Sequence, residues 1–181
     1  MSTINLELIS QVEQFYFREA RMLDNRQYQQ WLGLLTEDII YRIPGRHAAF
    51  ADPKKKETEA FLDVGQELSQ GLDTPLRDEN LLILSVRVMR AFKQNSWTDN
   101  PPARTRRFVS NIEVLPDSKP DEFKVYSNLM LSYSRHQKDN YLYTAQREDQ
   151  LRLVNGEMKI ARREVILDWN VITAPSLSLF F

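Results

Sequence analysis

The sequence predicts an α+β fold: helices from the first half packed on a strongly curved, mainly antiparallel sheet from the second half. Helical spacing of apolar residues dominates up to about residue 95, and four long strand-like segments joined by short turn sequences fill residues 104–169. Aromatic residues make up 10% of the chain against only five glycines, which points to a well-packed domain and away from disorder. With 181 residues the chain suits a single domain, 1–181, with a sizeable core. Helices laid on one concave sheet face make a cone, and a cone can enclose a pocket.

The elements follow in order. From about Asn5 to Leu23, apolar residues Leu8, Val12, Phe15, Tyr16, Ala20 and Leu23 recur at helical spacing. Asp24, with Gln27 three residues on, reads as a capping box for a short second helix burying Tyr28, Trp31, Leu32 and Leu35. DIIYRIP (38–44) reads as a strand stopped by Pro44. Residues 45–72 are the least regular part, with a basic run in KKKETEAFLDVGQEL that reads as an exposed, solvated loop and then a short helical pattern. Thr74 and Pro75 have the chemistry of a helix start. The helix that follows carries Leu81, Leu84, Val88 and Phe92 on one stripe, widened by Leu82, Val86 and Met89 into one broad buried face. Strands are expected over Arg104–Leu115, Glu122–His136, Asn140–Val154 and Met158–Trp169, with PDSKPD, QKD and VNGE as turns, hence a meander.

Composition narrows the function. The 24 basic and 25 acidic residues leave a net charge of −1. Phosphate neutralisation supplies most nucleic-acid affinity, so this balance argues against such a partner. The absence of cysteine removes disulfides, thiolate nucleophiles and thiolate metal sites. MSTINLELISQVEQF lacks the basic start and apolar run of a signal peptide, and no stretch reaches the roughly 18 apolar residues of a membrane span. A soluble, cytoplasmic protein with no membrane partner is expected.

A search for catalytic chemistry finds little. A facial-triad iron site needs two histidines and a carboxylate. The two histidines, His47 and His136, lie in different regions and outside any metal-binding spacing. Nucleophile-elbow, P-loop and dinucleotide-binding motifs are absent. In YLYTAQREDQLRL, strand alternation sets Arg147 and Asp149 on one face with Tyr141, Tyr143, Ala145 and Leu151. That pair reads as a structural ion pair, because Arg keeps a neighbouring carboxylate ionised. The competing reading is an acid–base pair in the pocket, with Asp38, Asp149 and Asp168 as candidate acids.

Charged strands stand out: RTRR (104–107), SRH (134–136), REDQLR (147–152) and ARRE (161–164). Arginine is favoured at protein interfaces, where its planar fork pairs with carboxylates and carbonyls. These strands therefore point to oligomerisation through the sheet. Arg104 and Arg106 share a strand face with Phe108, while Arg107 points the other way with Val109. The sequence closes on NVITAPSLSLFF, whose apolar residues are expected to dock on the chain's own core or on a neighbouring chain.

Three ordered stretches carry a family resemblance. EQFYFREARMLDNRQYQQWLGLLTEDIIYRIP, WTDNPPARTRRFVSNI and YTAQREDQLRLVNGEMKIARREVILD resemble signatures of the β (small) subunits of aromatic-ring-hydroxylating dioxygenases, the biphenyl/toluene and polycyclic-aromatic branch in particular. The resemblance spans about residues 10–170. It implies a cone-like fold similar to nuclear transport factor 2 and scytalone dehydratase, and a non-catalytic role beside a large α subunit in an α3β3 hexamer, with a trimer of this chain inside it. It also implies no cofactor on this chain, and a Rieske [2Fe–2S] cluster and a mononuclear iron on the α subunit. The complex adds O2 to an aromatic hydrocarbon, with electrons from NAD(P)H, to give a cis-dihydrodiol. Trp97, Arg104, Arg106, Arg107, Phe180 and Phe181 are the expected interface residues. Two other readings are a self-contained dehydratase or isomerase of the same fold, and a peptide-binding module of the transport-factor type.

Overall fold

The computed structural model describes residues 5–47, 64–68, 74–169, 171–174 and 176–181. Helix α1 runs Leu6–Asp24 and is capped by Asn5, whose side chain accepts from the Leu8 N–H at 3.1 Å. Val12, Phe15, Tyr16, Ala20 and Leu23 form its buried stripe, and the charged Glu19 lies on that same stripe. Helix α2 (Tyr28–Leu32) buries Trp31. Its N-cap is Gln27, with no side-chain cap. The expected capping box does not form because the Asp24 carboxylate is taken by Arg107, by its backbone N–H at 2.9 Å and by its guanidinium.

Strand β1 (Leu35–Ile43) follows, then the short helix α3 (Val64–Glu67) and strand β2 (Arg77–Glu79). Arg46 anchors the described part of this connection, pairing with Glu67 at 2.7 Å and Asp168 at 2.9 Å. The basic run KKK and the helical pattern up to residue 63 lie outside the described residues.

Helix α4 (Leu81–Ala91) starts later than Thr74–Pro75 suggest. Residues 77–79 pair antiparallel with β1 instead, and Asn80 supplies the cap, accepting from the Ile83 N–H at 3.0 Å. The broad buried face expected of this helix narrows to Leu84 and Val88, while Leu82, Val86, Met89 and Phe92 are exposed.

Strands β3 (Arg104–Pro116), β4 (Glu122–Arg135), β5 (Asp139–Val154) and β6 (Glu157–Leu167) form the expected meander, within a residue or two of the expected limits. The β5–β6 turn places Asn155 and Gly156 at φ of 53° and 80°, the left-handed region that an Asn-Gly pair adopts readily. The sheet order is β2-β1-β6-β5-β4-β3, with β1 parallel to β6 and every other neighbour antiparallel. One sheet face meets the helices. Its inward residues, among them Leu129, Leu131, Tyr143, Leu151 and Val165, join Val12, Tyr16, Trp31, Tyr41 and Leu84 in one core. Burying each large apolar side chain contributes about 1.5–3 kcal/mol.

Candidate functional site

The inside of the cone holds charge where an enzyme of this shape would hold a substrate pocket. Alternation along β5 turns Arg147 and Asp149 inward, and alternation along β6 does the same for Arg163. Helix α1 contributes Tyr16 and Glu19, three residues apart on one face. Arg163 donates to both Glu19 oxygens, at 2.6 and 3.0 Å, and to both Asp149 oxygens, at 2.9 and 2.7 Å. The Tyr16 hydroxyl donates to Asp149 at 2.8 Å, and the Trp31 indole N–H donates to Glu19 at 2.9 Å. Arg147 reaches Glu19 at 3.4 Å and the Ser127 hydroxyl at 3.2 Å, with its guanidinium 4.7 Å from the Tyr16 ring centroid.

Two carboxylates and two guanidinium groups therefore balance in a space closed to solvent, with Glu19, Arg147, Asp149 and Arg163 all at 2% exposure or less. Burial pushes the Glu19 carboxyl up, but Arg163 and Arg147 outweigh it and hold it at about 2. Burial, with the Asp149 charge beside it, pushes the Tyr16 hydroxyl well up. Neither group exchanges a proton near neutral pH. This is a set of struts, with all but one of its strong donors and acceptors engaged: Arg147 Nη2 has no partner among the described residues.

The candidate acids of the enzyme reading fare no better. Asp38 is exposed and paired with Arg152 at 2.9 Å, and Asp168 is exposed and paired with Arg46. Asp149 is locked to Arg163. A cleft of about 260 Å³ opens beside Tyr28, Phe92, Tyr133 and Phe180, and none of these acids lines it. Its carboxylate, Asp99, accepts from the Ser96 and Thr98 hydroxyls at 2.6 Å each. Both histidines are exposed, and no group of His, Asp or Glu among the described residues is placed to hold a metal.

The Arg147–Asp149 ion pair expected from β5 is replaced by two longer-range ones, to Glu19 and Arg163. Glu19 and Arg163 were not singled out from the sequence. The available signal was a carboxylate in the middle of the α1 apolar stripe, and an arginine between the inward Ala161 and Val165.

The residues expected at an interface separate into two groups. Arg107, Phe180 and Phe181 are buried by the chain itself. Arg107 pairs with Asp24 and donates to the Phe180 carbonyl at 2.6 Å. Phe180 packs 4.7 Å from Trp31, and Phe181 packs 5.5 Å from Tyr143. Arg104 and Arg106 are exposed on the outer sheet face, and Trp97 is 67% exposed. The Trp97 loop is pinned from behind by Arg135, which donates to the Trp97, Thr98 and Asn100 carbonyls.

The outer face also carries an apolar patch. Phe108 pairs in register with Met130, and Leu142 lies on the next strand opposite Ser132, diagonal to Met130. Phe108 and Leu142 are 52% exposed and Met130 39%.

A family model described as the ring hydroxylating beta subunit matches residues 18–174. The chain is 30% identical to the biphenyl 2,3-dioxygenase subunit beta of Rhodococcus jostii strain RHA1, over 98% of this chain and 91% of that protein. It is 31% identical, with the same coverage, to a benzene 1,2-dioxygenase subunit beta of Pseudomonas putida. Among solved structures, a naphthalene 1,2-dioxygenase matches with a TM-score of 0.83 at 21% identity, covering all of this chain and 89% of the other. The beta subunit of a benzoate 1,2-dioxygenase from Burkholderia mallei matches with a TM-score of 0.66 at 21% identity, over 93% of each chain.

Proposed function

Because this chain belongs to the family of ring-hydroxylating dioxygenase β subunits, we propose that it is the non-catalytic, structural subunit of a terminal oxygenase acting on an aromatic hydrocarbon. The oxygenase takes O2 and electrons from NAD(P)H and yields a cis-dihydrodiol. The partner is a large α subunit that carries the Rieske cluster and the mononuclear iron, and three copies of each chain make a cytoplasmic α3β3 hexamer. The whole of residues 1–181 acts as one domain in that assembly.

The observation that carries this reading is the closed charge network of the cone. Glu19, Arg147, Asp149 and Arg163 compensate one another out of reach of solvent. With its carboxyl held at about 2, Glu19 is not poised for acid–base work at neutral pH. What the chain offers to other molecules is its surface. The outer sheet face, with Phe108, Met130 and Leu142 beside Arg104 and Arg106, has the apolar centre and arginine rim of a protein contact and is assigned here to association between copies of this chain. Trp97, held out on its pinned loop, is a second contact point.

Co-expression with and without an α subunit tests the proposal. The expected result is a stable hexamer and aromatic dihydroxylation only when both chains are present. Turnover of any substrate by the isolated chain would overturn it.

A further inference from the structure

Five consecutive carbonyl oxygens, from Leu177 to Phe181, each accept a hydrogen bond from an arginine. Arg77 donates to Leu177 at 2.9 Å, and Arg87 donates to Ser178 at 3.2 Å and to Leu179 at 2.8 Å. Arg107 donates to Phe180 at 2.6 Å and Arg163 to Phe181 at 3.0 Å. The four arginines come from four different elements, β2, α4, β3 and β6.

Each arginine is backed by a carboxylate. Glu79 holds both Arg77 and Arg87, Asp24 holds Arg107, and Glu19 with Asp149 holds Arg163. Backing of this kind fixes the planar fork and offsets its charge while leaving an N–H free for a main-chain oxygen.

The side chains of the segment are sorted as well. The Phe180 ring sits 4.7 Å from Trp31, 5.3 Å from Tyr28 and 4.4 Å from the Arg87 guanidinium. Phe181 lies against Tyr143, and its N–H donates to the Tyr41 hydroxyl at 2.8 Å. Among the described residues, no backbone-to-backbone hydrogen bond reaches 177–181. The segment is held entirely by side chains that read its main chain and fill around its rings, which is how a receptor holds an extended peptide.

We propose that the groove formed by Trp31, Tyr41, Tyr143 and the four arginines is a peptide-binding cleft whose ligand class is an extended apolar peptide containing Leu-Phe-Phe. Segment 176–181 is its resident ligand, bound in cis and able to leave and return while the sheet stays folded. This holds whatever assembly the chain joins.

Two measurements test it. In the full-length chain, hydrogen exchange of the Phe181 amide is expected to run at least tenfold faster than that of Leu129 and Leu131 in β4, with weaker dependence on denaturant. Equal protection and equal dependence would overturn the proposal, because the segment would then open only with the whole fold.

In the second measurement, a specific protease site is inserted between Thr173 and Ala174 and cut after folding. A fluorescent Ser-Leu-Ser-Leu-Phe-Phe peptide is expected to exchange saturably for the cut segment. Replacing both its phenylalanines by alanine should abolish uptake, and Arg87→Ala in the chain should weaken uptake at least tenfold. No uptake by a cut chain that keeps its circular dichroism, uptake indifferent to the alanine peptide, or loss of the sheet signal on cutting would each overturn it.

Discussion

Arg163 grips both oxygens of Glu19, at 2.6 and 3.0 Å, across 144 residues of sequence. Paired, the two charges fix helix α1 against strand β6. Alone, each would be a bare ion in an apolar interior.

Removing one partner should therefore be severe. Arg163→Ala is expected to lower unfolding stability by about 3–5 kcal/mol, as for other buried pairs that lose one member. A Glu19→Leu/Arg163→Met double variant should lose less than the two single changes combined, because both members of the Glu19–Arg163 pair are gone and only Asp149 and Arg147 lose a counter-charge. Urea denaturation of Arg163→Ala, the two single changes and the double variant reads both effects. A loss below about 1 kcal/mol for Arg163→Ala would show that the pair does not hold the cone.

The same pair sets an acid limit. The Glu19 carboxyl stands at about 2 in the folded chain against 4.5 ordinarily. A depressed carboxylate gives stability that is fully present above its unfolded value and is lost as pH falls through its folded value. The stability gap between the native chain and Glu19→Gln should stay constant above about pH 5 and shrink between roughly pH 4.5 and 2. Denaturant titrations along that pH series check it, and a gap that does not narrow would sink the assignment.

The three arginines of RTRR should behave differently from one another. Arg107→Ala removes the counter-charge of the Asp24 carboxylate, which keeps only the Thr105 hydroxyl and the residue-107 N–H, and should cost about 3–5 kcal/mol in the isolated chain. Arg104→Ala and Arg106→Ala, on the outer face, should change that stability by no more than about 0.5 kcal/mol. Their effect is expected in association between copies of this chain, where at least one should weaken the hexamer on dilution. Light scattering across a dilution series separates the two outcomes.

The outer apolar patch makes a parallel test. Phe108→Ser and Leu142→Ser face solvent in the single chain and should leave its thermal midpoint within a few degrees of the native value. Association between copies should fall, seen in sedimentation as a shift to smaller species. Unchanged sedimentation would remove the sheet face as the contact between copies.

Much of this fold is legible in the sequence because its signals are local. Period-two alternation and turn residues such as Asn155 and Gly156 place the meander strands within a residue or two of where they lie. The capping residue of α4 is less so. Thr74 and Pro75 have the right chemistry, and only the pairing of residues 77–79 with β1 moves the start to Asn80. The partners of buried charges are the least legible, because they are distant in sequence. Alternation sets Arg107 on the opposite face from Arg104 and Arg106, but nothing near it announces Asp24, 83 residues earlier. Glu19 was the most readable of the hidden charges, a carboxylate in the middle of an apolar stripe.

The long separation between Glu19 and Arg163 also governs how the chain can be made. Helix α1 leaves the ribosome well before β6, carrying a carboxylate whose counter-charge does not yet exist. Translation at ordinary rates takes roughly 7–30 s to cover those residues. Strand β1 waits nearly as long, since its parallel neighbour is β6. Nascent chains stalled at residue 150 should thus stay open to protease, and those stalled after β6 has cleared the exit tunnel should resist it. Helix α1 is synthesised long before the strand that neutralises its buried charge.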